Sequence, residues 1–288
     1  MLLSSQSVLG YGAESAWGVT AAPTTFFPAN PLMAEDLVKY HPIHAYTFIT
    51  PQILNVPYYA GGKVSATHFA TPETILAEMR AAFGAESVSG NVHTFGVADI
   101  PTSFTVTEYD GQYARAYAGA RLEQWTLSFD VERGLTSKAQ WWSQMAQSTS
   151  WNGASVPIVD PPSVQNGVVK LGGQQIGTVI SGDWHFLRAI KLIHSDQIQD
   201  VVGIHPGPFI AQGQLTLALE DDSAWTKMQD GTSDTLTTTF DWLTIQSYKL
   251  NYVQVQMNRG ADLLKQQLKF RMVYSSADDA LVTASVTV

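Results

Sequence analysis

The chain has 288 residues, 45% of them hydrophobic, only 14% charged, and a net charge of −9. That apolar, aromatic-rich composition excludes a disordered chain, and the acidic balance excludes a protein that grips nucleic acid through a basic surface. With no cysteine there is no disulfide framework and no thiolate metal site. The opening Met1 to Leu9 lacks the basic and apolar regions of a secretory signal, and no apolar run is long enough for a membrane span. Low charge together with 8 Trp implies surface that is neither charged nor buried within one copy.

In chain order, residues 1–62 read as an irregular N-terminal arm packed on the body or on a neighbour. Pro23, Pro28, Pro31, Pro42, Pro51 and Pro57 oppose interior strands and helices there. The aromatics Phe26, Phe27, Tyr40, Tyr46, Phe48, Tyr58 and Tyr59 argue that this segment packs on something. A first β-rich half follows over 63–149. Its helix is predicted over Pro72–Phe83, with Thr71 as N-cap, Pro72 in the first helical position, Glu73 in the first turn and Gly84 at the C-terminal cap. From Pro101 the period changes to two, and Asp110-Gly111 signals a hairpin. Gly119 breaks the next strand, which resumes over Leu122–Val131. Ser137–Ala146 is predicted as a short helix.

Residues 150–167, with Asn152-Gly153, Pro157, Pro161-Pro162 and Asn166-Gly167, read as a linker. The second β-rich half, 168–288, is predicted to hold strands over Val168–Leu171, Gln175–Ile180, Trp184–His194, Phe209–Leu219, Thr235–Ile245, Tyr248–Met257, Gln267–Tyr274 and Leu281–Val288. A short helix over Asp221–Asp230 interrupts them. Gln124–Asp130 followed by Trp142 and Met145 echoes Gln214–Glu220 followed by Trp225 and Met228. The halves therefore form either one domain or a pseudo-duplicate.

Chemistry is hard to find. There is no Gly-x-Ser-x-Gly elbow, no Ser-x-x-Lys and no phosphate loop, and Gly10-Tyr11-Gly12 lacks the βαβ context of a dinucleotide site. His41 and His44 flank Pro42, while His185 and His194 fall on opposite faces of one strand, so neither pair makes a metal site. Glu220-Asp221-Asp222 lacks calcium-loop spacing and suits a helix N-terminus. No catalytic, cofactor-binding or metal-binding residue is assigned. Trp141, Trp142, Trp184, Trp225 and Trp242 could stack on sugars, although core or interface packing is the commoner use of Trp.

The opening Leu9-Gly-Tyr-Gly-Ala-Glu14-Ser-Ala-Trp17-Gly-Val-Thr-Ala-Ala-Pro23-Thr24 resembles the start of the major tail tube proteins of long-tailed, siphophage-type bacteriophages. The helix ending Ala82-Phe83-Gly84, the corner Tyr117-Ala-Gly119-Ala-Arg-Leu122 and the alternating Val and Thr of Ala280–Val288 are similar to the same family. The Pro-rich stretch 28–57 departs from it, and no separate immunoglobulin-like decoration is evident.

The resemblance implies a mainly β fold: a tail-tube-like β-sandwich or barrel with short flanking helices and long loops. It implies a virion tail protein made in the host cytoplasm, with no reaction and no cofactor. Its partners would be copies of itself, a tape-measure protein, a tail terminator and distal tail or baseplate proteins. Rings would stack into a tube through which DNA passes without specific binding. Six chains per ring are expected rather than three, with acids lining the lumen. The segment Leu37–Tyr59 is expected to reach the adjacent ring, with Tyr46, Phe48, Tyr58 and Tyr59 as inter-ring contacts. The alternatives are a capsid decoration or baseplate component, which would form closed oligomers, and a carbohydrate-binding β-sandwich.

Overall fold

A computed structural model describes residues 7–30, 32–46, 51–151, 156, 167–176, 179–195, 200–218, 223–259 and 264–288. The first part of the chain forms β1 (Val8–Ala13), β2 (Thr25–Pro28), β3 (Leu32–Tyr46), β4 (Pro51–Phe69), helix α1 (Pro72–Ala82), β5 (Gly84–Ser89) and β6 (Val92–Val97). It continues with β7 (Phe104–Tyr109), β8 (Ala114–Asp130), β9 (Gly134–Ser143) and β10 (Gln147–Thr149). The second part forms β11 (Val168–Leu171), β12 (Gln174–Ile176), β13 (Val179–His194), β14 (Val201–Ala218) and helix α2 (Ser223–Asp230). It ends with β15 (Asp234–Phe240), β16 (Leu243–Arg259), β17 (Leu264–Met272) and β18 (Val282–Thr287). The fold is mainly β, as expected, and its strands pair antiparallel throughout the described residues.

Local chemistry explains the elements the sequence made plain. Thr71 caps α1 reciprocally with Thr74, Pro72 opens the helix, and Gly84 follows it at φ +90°. Thr71→Ala is expected to cost about 1 kcal/mol, readable as a lower melting temperature. At Asp110-Gly111 the Asp110 carboxylate accepts from the Gln112 and Tyr113 amides, and Gly111 takes φ +93°.

Other readings need correction. Residues 1–62 are not irregular, because β1 to β4 occupy most of them. Pro42, Pro51 and Pro57 lie where each strand of the β3–β4 hairpin has one partner only, and an edge tolerates a missing N–H. Ser137–Ala146 is not a helix. Leu135, Ser137, Ala139, Trp141 and Ser143 are buried alternately, which makes β9 a strand with one face inward. Gly119 does not end a strand but forms a bulge inside β8, at φ +66°. Thr235–Ile245 is broken by a turn at Asp241-Trp242, and β14 begins at Val201 rather than Phe209. Most of the 150–167 linker and all of Glu220-Asp221-Asp222 lie outside the described residues.

The strand pairings reveal an internal repeat. In the first part, β2, β1, β7, β8 and β10 are successive neighbours, and in the second β12, β11, β15, β16 and β18 repeat that order. Likewise β3-β4-β9-β8 is matched by β13-β14-β17-β16. Even the irregularities recur. The β7–β8 ladder slips between Phe104↔Ala120 and Val106↔Tyr117, and the β15–β16 ladder slips between Asp234↔Leu250 and Leu236↔Ser247. A second slip at Leu122/Gln124 returns at Tyr252/Gln254. The β16 residues 244–259 thus answer to the β8 residues 114–129, 130 positions earlier. The hairpin β5–β6 belongs to the first part alone, yet β6 pairs with β18 of the second. This repeat is not the echo seen in sequence: Gln124 corresponds to Gln254, not Gln214, and Trp142 lies in a strand whereas Trp225 lies in α2.

The core lies between the sheets and α1. Ile75, Met79 and Phe83 are fully buried against β8 and β18 partners such as Trp125 and Val286. Burying each such side chain contributes about 1.5–3 kcal/mol. Phe83 meets Trp125 edge-on at 6.3 Å and Phe186 at 5.3 Å.

Candidate functional site

The repeated four-strand units join through β8 and β13, whose residues 124–130 and 181–187 pair. The result is a sheet in the order β3-β4-β9-β8-β13-β14-β17-β16. Its two outer strands are β3 and the stretch of β16 after Leu250. Among the described residues neither has a second ladder partner. One face of the sheet packs inward through Val64, Trp141, Trp125, Trp184, Leu215 and Phe270, all at most 2% exposed.

The opposite face is polar. Thr67, Lys138, Thr126, His185, Gln212 and Arg271 form one row across six strands. Cross-strand bonds tie it laterally. Thr126 Oγ1 lies 2.9 Å from His185 Nδ1, Gln214 donates to Asp183 at 2.6 Å, and Gln267 donates to Gln214 at 3.4 Å. Lys63 sits 5.1 Å over the Trp142 ring. Lys63, Lys138, Lys265, Lys269 and Arg271 are interspersed with Glu35, Glu123, Asp130 and Asp183 on this face, so it is nearly neutral.

Two ribbons extend past the sheet. In the first, residues 37–46 of β3 pair with 51–61 of β4 beyond the reach of β9. Ten residues per strand give it a length of about 30 Å. Tyr46 and Tyr59 pair with Pro51 and Lys39, and Tyr58 falls in a slip of the ladder, so these three expected contact residues share one ribbon. Phe48 lies outside the described residues. The second ribbon, from Arg188–His194 and Val201–Phe209, is the first one's counterpart in the repeat and was not anticipated. Its only sequence signal is Pro206-Gly-Pro208 inside a long strand, which resembles the prolines of the first ribbon. Arg188 anchors its base, donating to the carbonyls of Ala82 at 3.1 Å and Ala98 at 2.5 Å. Burial lowers the Arg188 pKa. The far end of the second ribbon lies against the base of the first: a Cβ on Gly61 would lie 3.1 Å from Val201, Gln144 donates to the Val201 carbonyl at 3.3 Å, and the Met145 amide donates to Asp200 at 3.0 Å.

A buried polar cluster fixes the first half of the sheet to α1. Glu78 on α1 accepts at one oxygen from Tyr11 at 3.2 Å and His68 Nε2 at 2.8 Å, and at the other from Ser137 at 2.6 Å. Trp125 Nε1 donates to Ser137 at 2.9 Å. His68 Nδ1 faces the Phe69 carbonyl at 2.8 Å. Burial disfavours charge on His68, but the Glu78 carboxylate and the two hydrogen bonds outweigh it and raise its pKa. Burial, then the Glu78 charge, pushes the Tyr11 hydroxyl up. A second knot ties the N-terminal motif to the β8 corner. Glu14 accepts from the amides of Gly18 at 2.9 Å and Gly119 at 2.7 Å and from Thr105 at 2.9 Å, while Trp17 donates to the Gly119 carbonyl at 3.0 Å.

Of the tryptophans considered for sugar stacking, Trp141 and Trp184 are fully buried, Trp142 underlies Lys63, and Trp225 is 39% exposed. Among the described residues no three His, Asp or Glu side chains gather as metal ligands. No helix there is long and apolar enough to cross a membrane. No curated protein matches the chain. A family model described as phage tail tube protein matches residues 4–288, nearly the whole sequence. Open sheet edges, paired units and that match agree: the chain belongs to the phage tail tube protein family, structural components of the virion tail that assemble with their own copies into a tube.

Proposed function

We propose that this protein is the tube subunit of a siphophage-type tail and that three chains close a pseudo-hexameric ring. The observation that carries this reading is the eight-stranded sheet built from two equivalent four-strand units and open at both ends. An open edge on a soluble chain invites pairing with another chain. Two different edges make the contact heterologous, so copies add head to tail until the rotation closes. Each chain carries two units, and the internal repeat favours three chains over the six expected from sequence.

Three such chains supply two dozen strands. At about 4.8 Å per strand the barrel is about 37 Å across its backbone, or wider with tilt, enough to pass duplex DNA. The polar face would line that channel. Its acids stand among lysines, so the conduit avoids trapping DNA through near-neutrality and Gln, Thr and Ser side chains rather than through an acidic lining. A tape-measure protein would occupy the channel before ejection, and a terminator and distal tail proteins would meet the tube ends. The first ribbon would reach toward the adjacent ring, while the second is held on its own chain by Gln144 and Met145.

The test is negative-stain electron microscopy of the purified chain, with light-scattering mass. Annular rings or hollow tubes with three chains per ring are expected. A species that stays monomeric at every concentration overturns the reading. Tyr58→Ala with Tyr59→Ala should leave the fold intact by circular dichroism while shortening or abolishing tubes. Tubes of normal length from that variant would remove the first ribbon from the inter-ring contact.

A further inference from the structure

The joint between the two units inside one chain specifies the joint between chains. We propose that β16 of one copy pairs antiparallel with β3 of a second copy in the register of the internal β8–β13 ladder, so that Met257 faces Ala34, Gln256 faces Glu35 and Val255 faces Asp36. The inference rests on the ring reading and adds the residue register that the reading lacks.

The register follows from pairings already described. β16 residues correspond to β8 residues 130 positions earlier, as both slips require. Comparison of β4 with β14 through their β9 and β17 partners sets Val64 against Gly213 and Ala66 against Leu215. Their own partners then set Ala34 against Trp184 and Leu32 against Gly182, 150 positions apart. Inside the chain Leu127 pairs with Trp184, Thr126 with His185 and Trp125 with Phe186. Carried over, these become Met257 with Ala34, Gln256 with Glu35 and Val255 with Asp36.

Exposure supports the same seam. Leu127, fully buried beside β13, corresponds to Met257, which is 41% exposed at the open edge. Leu135 is fully buried, whereas its counterpart Leu264 is 46% exposed. These apolar side chains lack the neighbour that their counterparts have. The polar contact can also be rebuilt, because a Gln256 amide can donate to the Glu35 carboxylate where Thr126 and His185 meet internally. Neither edge carries a proline in the paired stretch, and the β3 prolines begin only at Pro42, in the ribbon. Proline, one of the residues that blunt an edge kept unpaired, is thus missing from both stretches.

The absence of cysteine makes disulfide trapping clean. Directly opposed antiparallel residues lie about 4.5 or 5.5 Å apart at Cα, and both spacings admit a disulfide. Full-length chains carrying Ala34→Cys with Met257→Cys, or Glu35→Cys with Gln256→Cys, would be assembled, oxidised and run on non-reducing gels. A covalent ladder ending at three chains is expected, and it should collapse on reduction. The displaced pair Asp36→Cys with Met257→Cys should give at least tenfold less product. Rings visible by microscopy that cross-link only through the displaced pair, or not at all, overturn the register while the ring reading stands. No rings from the unmodified chain at any concentration defeats the ring reading and the seam with it.

Discussion

Glu78→Ala is expected to destabilise the unassembled subunit by about 3–5 kcal/mol, because it strands a buried imidazole and two hydroxyls that now share one carboxylate. In a chain of this size that corresponds to a melting temperature lower by about 10 °C. Glu78→Gln should lose less, since an amide oxygen still accepts from Ser137 or Tyr11. The pH dependence has a definite sign. The His68 pKa is raised in the fold, so its contribution is complete below the ordinary imidazole value of about 6.5 and is lost as pH rises through the raised value. The stability gap between the wild type and Glu78→Gln should therefore narrow at alkaline pH. A Glu78→Ala chain melting within a degree of the wild type would show that the cluster holds nothing together. The second unit offers a comparison, since its counterparts of His68, Ser137 and Trp125 are Leu217, Gln266 and Val255. It closes the same layer largely with apolar contacts.

Gly119→Ala is the second large effect. A Cβ there would sit 2.8 Å from Trp17 Cε2, on a backbone held at φ +66°. Left-handed geometry costs a non-glycine residue about 1–2 kcal/mol, and overpacking adds about 1–3 kcal/mol. Gly90→Ala is the control, with φ +61° and nothing within 4 Å of the added atom, so it should show the backbone cost alone. Chemical denaturation of the two variants separates the terms. If Gly119→Ala loses no more than Gly90→Ala, Trp17 does not close over the bulge. The result also bears on the N-terminus, because Trp17 and Glu14 reach Gly119 from more than a hundred residues away in sequence.

Local signals decided which elements could be read from sequence. Thr71-Pro72 with Gly84, and Asp110-Gly111, carry their conformations in a few residues, and both were legible. Ser137–Ala146 misled because Trp141, Trp142 and Met145 satisfy a helical spacing almost as well as a strand's. Only the buried alternation from Leu135 to Ser143 decides between them. The prolines of the first 62 residues argued correctly against interior strands, but they say nothing against a ribbon with two outer edges. The aromatic residues expected to bridge rings do share that ribbon, with Phe48 outside the described residues. The second ribbon and the open edge of β16 stayed hidden because an edge is defined by the absence of a neighbour, which no local pattern encodes. The repeat was hidden for a related reason: it is kept in pairing and in bulge position, while the residues at matched positions differ, Trp125 against Val255 and His68 against Leu217.

The β8–β13 ladder lies within one chain, whereas in the proposed ring its counterpart lies between chains. Half of the seams in such a ring are then formed when the chain folds, at an effective concentration near the millimolar values of short tethers rather than at the concentration of free subunits. Closing the circle then takes three seams between chains instead of six. Dilution weakens only the remaining seams, so the ring should assemble at lower subunit concentration than one made from separate single units.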